Sequence, residues 1–276
     1  MARCVFLVVL AFLSGCATTR LSGADLDRVA QPAFISRIDD EAGPKSRVFR
    51  EDGAYGEKLK KLEPKEADRR LQAKLVKAVT RFEISERLRV TTAHQLPREA
   101  PWTSTLDPAR VASALESFLV EEVPANAPDY DLLVPLGADA VVEFVIEDYG
   151  MRSEKGHAGA YMKGYGRMFR LDGRSELWRR PFELDQIEAG AAHLDPFKVG
   201  KEPDLFRQAL TTLLDTVAEQ FAQDLSPKDR RGGPPLPERP DLTAPDGTHR
   251  TGRENQQPPP KPDPDLAPGE LPDPDP

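Results

Sequence analysis

Apolar positions recur at helical spacing in two early stretches and one late one. Leu71, Leu75, Ala78, Val79 and Phe82 make one face of a helix that opens at Pro64, where proline's missing N–H costs nothing. Leu88, Val90 and Thr92 then alternate, which predicts a short strand. Asp107-Pro108 starts a second helix with Asp107 as N-cap; its face is Val111, Ala114, Leu115, Phe118 and Leu119, and Pro124 stops it. Residues 138–149 alternate as a half-buried strand. Val142, Phe144 and Ile146 share one face, and Glu143 and Glu147 share the other with Val141 and Val145. Residues 160–171 and 174–183 flank Asp172-Gly173, a two-residue hairpin signal because both turn positions need positive φ. Gly164 and Gly166, two apart, predict a bulge or the close approach of a packed helix. The widest stripe is Phe206, Ala209, Leu210, Leu213, Leu214, Val217, Phe221 and Leu225, ended by Ser226-Pro227.

This order of elements predicts an α+β or α/β domain over residues 63–226: a small sheet with an Asp-Gly hairpin, packed by two or three helices. The flanks differ in composition. Residues 16–62 read as a flexible tether, dense in charge between Arg37 and Lys61, with Val48 and Phe49 as isolated apolar residues able to dock. More than half of the 27 prolines lie from residue 227 onward, so 227–276 reads as a disordered proline-rich tail.

The amino terminus carries the most specific signal. Arg3 precedes an apolar run from Val5 to Leu13, followed by Leu13-Ser14-Gly15-Cys16. A basic start, a short apolar core and small residues at the exit mark a secretory signal peptide over 1–15. The run falls short of the roughly 20 residues a spanning helix needs. Leu13 to Cys16 resembles the lipobox of bacterial lipoproteins. The resemblance implies cleavage between Gly15 and Cys16, a diacylated Cys16 thiol and an acylated new amino terminus. One acyl chain binds marginally, whereas two or more anchor stably. Ala17 stands where Asp favours inner-membrane retention in such lipoproteins. The resemblance therefore implies a lipid-anchored, periplasm-facing protein, with the outer membrane favoured.

Composition narrows the chemistry. The only two cysteines are Cys4, lost with the signal peptide, and Cys16, consumed by lipid. Neither a disulfide nor a thiolate zinc site is expected. A net charge of −8 argues against a nucleic-acid partner. His94, His157, His193 and His249 show no metal spacing. No phosphate loop, metalloprotease motif or Gly-x-Ser-x-Gly elbow occurs, and no cofactor is expected. Glu143, Glu147 and Asp148 are the best carboxylates for acid–base work, against a solvated sheet face as the simpler account. Arg167, Arg170, Arg174, Arg179 and Arg180 make the hairpin basic. They suit either cross-strand pairs with Glu143 and Glu147 or a surface for an anionic partner.

The stretches Leu71 to Val90, Leu136 to Val142 and Phe169 to Trp178 resemble curli-secretion and TolB amino-terminal-like periplasmic domains. The apolar strand that opens those domains has no counterpart in this reading. The expected function is a non-catalytic envelope lipoprotein, an accessory or assembly factor held to the membrane through Cys16 and binding a protein or wall polymer. The alternative is a lipid-anchored envelope hydrolase, which a deep pocket with converging carboxylates or a Ser/His pair would favour.

Overall fold

A computed structural model describes residues 18–115, 123, 125–191 and 193–229. Cys16, Phe118, Leu119, Pro124, His249 and the tail from 230 lie outside the described residues. The fold is α+β, with one mixed five-stranded sheet: β1 Pro32–Ile38, β2 Lys45–Arg47, β3 Ala140–Glu154, β4 His157–Arg170 and β5 Glu176–Asp185. The order is β1-β3-β4-β5. β2 pairs with β3 beyond the end of β1, and both run parallel to it. β3, β4 and β5 form an antiparallel meander.

The two-residue turn with paired positive φ is at Lys155-Gly156, where φ is 51° and 79°. Around Asp172-Gly173 the loop is longer. The Arg170 N–H bonds the Ser175 carbonyl at 2.9 Å, and the positive φ values fall on Gly173 and Arg174.

The longer helices are α1 Pro64–Ala78, α2 Arg81–Gln95, α3 Pro108–Ala114 and α4 Asp204–Asp224. Pro64 and Asp107 occupy the first-turn and N-cap positions that the sequence predicts. Leu88, Val90 and Thr92 belong to α2 and not to a strand. A capping box between Thr80 and Glu83 starts that helix, and Ile84, Leu88 and Thr92 fall every fourth residue on its buried side. Val79 ends α1 in extended backbone, so Phe82 leaves α1's apolar face and stands exposed.

α1, α2 and α4 join one face of the sheet in the main core, with Phe34, Ile38, Val142, Phe144 and Met168 beneath. Phe221 of α4 stacks on Phe144 at 5.2 Å and meets Trp178 edge-on at 5.3 Å. Gly166 makes this approach possible. A Cβ there would overlap the Trp178 ring and reach within 3.0 Å of Phe221. Gly164 is equally confined, by the Val145 carbonyl across from the bulge between Ile146 and Asp148. Gly166→Val is therefore expected to lower stability by about 1–3 kcal/mol through overpacking, read as a shift of the urea midpoint.

The opposite face is also covered, by α3 and by the 3₁₀ helix Tyr130–Leu136. Val141, Glu143 and Val145 are buried, so β3 is closed on both sides and not half solvated.

Residues 18–62 correct the expected tether. Thr19 bridges to Arg179 through hydrogen bonds of 3.1 and 2.9 Å. β1 lies fully in the sheet with Ala33, Ile35 and Ile38 inaccessible, and Val48, Phe49 and Tyr55 enter the main core. The charge that suggested solvent faces fixed partners. Arg47 meets Asp148 at 2.7 Å, and buried Asp68 accepts from Ser46 Oγ and from the N–H groups of Val48, Phe49 and Arg50.

Candidate functional site

The most concentrated polar constellation is on the second face of the sheet, around Glu143. Strand alternation puts Arg37, Glu143 and Arg167 on the side away from the main helices, and the register sets Glu143 opposite Arg167. The Glu143 side chain is fully inaccessible. It accepts from Arg37 Nε at 2.9 Å, from Arg167 Nε and from the Tyr130 hydroxyl. Arg37 spends its other donors on Asp39 at 3.0 Å, the Ala125 carbonyl at 2.8 Å and the Tyr165 hydroxyl at 3.1 Å.

Burial alone would lower the pKa of both guanidinium groups, but Glu143, joined by Tyr165 and Asp39 at Arg37 and by Tyr130 at Arg167, outweighs it and raises them. Burial, reinforced by Glu143, raises the Tyr130 hydroxyl, so it stays a donor. With the donors directed inward at protein acceptors, this arrangement pins β1, β3, β4 and the 3₁₀ helix together.

The hairpin arginines are held in ion pairs. Arg167 turns inward to Glu143 and leaves the expected outer surface. Arg170 pairs with Asp172 at 2.6 Å, Arg174 with Asp131 at 2.6 Å, Arg179 with Glu176 at 2.9 Å and Arg180 with Asp224 at 3.6 Å. The cross-strand pairing holds for Glu143 with Arg167. Glu147 is exposed at the bulge, and Asp148 binds Lys45 and Arg47, so the three carboxylates do not converge.

A histidine contact escapes the sequence. His193 Nδ1 accepts the Ala158 N–H at 3.1 Å, and its Nε2 lies 3.1 Å from the Tyr55 hydroxyl, which donates to the Gly156 carbonyl at 3.0 Å. A neutral ring that accepts at Nδ1 carries its proton on Nε2. Together with Gln186, which accepts from the Ala160 N–H at 3.0 Å, His193 satisfies the part of β4 that extends past the end of β5. No sequence spacing signals this, because the partners are a loop and a strand edge.

Two open grooves among the described residues follow helix sides. One of about 670 Å³ runs along α2 past Phe82, Glu86 and His94; another of about 520 Å³ lies over Arg50, Glu66 and Arg69. Among the described residues, no three His, Cys, Asp or Glu side chains gather to hold a metal, and no helix is long and apolar enough to cross a membrane.

No family model matches this chain, and no curated protein does. Among solved structures, a hypothetical protein from Chlamydia trachomatis is similar over 70% of this chain and 98% of its own, with 15% identity and a TM-score of 0.32.

Proposed function

We propose that this chain is a lipid-anchored component of the cell envelope, a non-catalytic accessory or assembly factor facing the periplasm, with the outer membrane favoured. Its α+β module binds an envelope protein or wall polymer. The observation that carries the reading is the apposition of two features. Leu13-Ser14-Gly15-Cys16 has the form of a lipobox, and Thr19, three residues on, is already hydrogen-bonded to β5. Three residues span at most about 11 Å. An acylated Cys16 would hold the module directly against the membrane, where a long leash would let it roam. The inward commitment of the Glu143 network and the internal pairing of the hairpin arginines support a scaffold rather than a reactive centre.

Cys16→Ala is expected to leave the unprocessed precursor and to abolish recovery of a processed protein in the detergent phase of a Triton X-114 partition. A variant that still gains lipid and partitions as before would overturn the proposal.

A further inference from the structure

A histidine nitrogen that accepts a backbone hydrogen bond can do so only while it carries no proton. His193 is in that position at the edge of β4. A backbone N–H can only donate, so the Ala158 N–H, 3.1 Å from Nδ1, requires a bare nitrogen there. The ring proton is then on Nε2 and is directed at the Tyr55 hydroxyl, whose own proton goes to the Gly156 carbonyl. Burial, with the charges of Asp195 and Asp52, raises the pKa of that hydroxyl and keeps it a donor. Beside this contact the Leu194 N–H donates to the Ala158 carbonyl at 2.9 Å. Two residues along β4, Ala160 is held at both its N–H and its carbonyl by Gln186, which does not titrate.

We propose that His193 is a pH-sensitive latch: when its ring takes a second proton, His193 and Leu194 release Ala158 and the edge of β4 opens there. His193 is exposed, so solvent protons reach it. An imidazolium donates from both nitrogens. Its Nδ1–H would meet the Ala158 N–H with no acceptor between them. The charged groups around the ring do not offset this conflict. His157 of β4 meets the ring edge-on, with centroids 6.0 Å apart, and is a second ring able to become cationic. Lys58 lies over the Tyr55 ring at 4.9 Å and adds positive charge. Asp52 already accepts from the N–H groups of Ala54 and Gly156, and Asp195 from that of Phe197. Glu154 pairs with Arg152 and Lys155, and Asp185 and Glu188 pair with Arg152. The closed edge thus excludes the second proton and the open edge takes it, so opening grows as pH falls. The latch does not depend on the lipid anchor.

The test is backbone hydrogen exchange by NMR on the full chain, with Ala158 read against Ala160, from about pH 8 to pH 5, the span over which histidines change charge. The protection factor at Ala158 is expected to fall about tenfold while that at Ala160 holds. The midpoint should coincide with that of the His193 ring, followed through its own proton shifts, and not with that of the His157 ring. Above the midpoint, ring nitrogen shifts should show Nε2 protonated and Nδ1 bare. Unchanged protection at Ala158, a fall shared equally by Ala160, or a midpoint that follows His157 would overturn the latch.

Two variants separate the latch from a general loosening in acid. Asparagine offers an amide oxygen close to the position of Nδ1 and does not titrate. His193→Asn is therefore expected to remove the change at Ala158 across the range, whatever level of protection it starts from. His157→Gln is expected to retain the change, with His193 still titrating. A fall at Ala158 that survives His193→Asn, or one that disappears in His157→Gln, would contradict the proposal.

Discussion

A chain beginning at Glu63 is expected not to fold, even though it retains α1, α2, α4 and the whole β3-β4-β5 meander. It would lack Ile35, Ile38, Val48, Phe49 and Tyr55, all buried in the intact protein. At about 1.5–3 kcal/mol for each such side chain, their loss is on the order of 10 kcal/mol, comparable to the whole stability of a typical domain, roughly 5–15 kcal/mol. The truncation would also open the edge of β3 from Ala140 to Ile146, which pairs with β1, and would remove Arg37 from Glu143. Circular dichroism melting should show no cooperative transition for the chain starting at 63, and a normal one for a chain starting at 17. A cooperative melt near that of the longer chain would mean that residues 18–62 are a tether after all.

The second large effect is expected at Glu143. Glu143→Ala leaves Arg37 and Arg167 facing each other, half-buried, with their shared carboxylate gone. Breaking a buried pair in this way costs about 3–5 kcal/mol. The cost should come chiefly from the stranded cations. Replacing all three together, with Glu143→Leu, Arg37→Met and Arg167→Met, should therefore recover most of the loss, since exchanging a whole buried network for apolar groups is often neutral. Urea denaturation reads both. A Glu143→Ala variant within about 1 kcal/mol of the parent would show that the network contributes little.

The elements legible in the sequence are those whose signal is local. Pro64, Asp107 and the α4 stripe announced their helices because caps and 3.6-residue periodicity depend on neighbours along the chain. The Glu143–Arg167 pairing was legible for a similar reason, since adjacent antiparallel strands bring such residues opposite each other. β1 was not. It is seven residues long, contains Ser36 and Arg37, and adjoins a charged stretch, so its composition resembled a linker. Its burial comes from a parallel partner about a hundred residues away, and the charges around it are neutralised by residues equally distant, Arg37 by Glu143 and Arg47 by Asp148.

The second face of β3 was hidden for a different reason: its cover is a 3₁₀ helix whose three-residue period carries no amphipathic α-helical signal, with Tyr130 only 13 residues before Glu143. In α2 the difficulty was ambiguity of period. Leu88 and Thr92 satisfy both alternation and i, i+4 spacing, and the deciding signal is the Thr80–Glu83 capping box upstream.

The correction to the tether changes what a lipid on Cys16 would accomplish. With the chain fixed at Thr19, any anchor would place a particular end of the module at the membrane. The most direct measurement is mass spectrometry of the amino-terminal tryptic peptide from the membrane fraction of cells expressing the full chain. The account predicts a peptide running from Cys16 to Arg20, with acyl groups on the thiol and the amino terminus. A peptide that continues upstream of Cys16, or one that carries Cys16 as a free thiol, would contradict it.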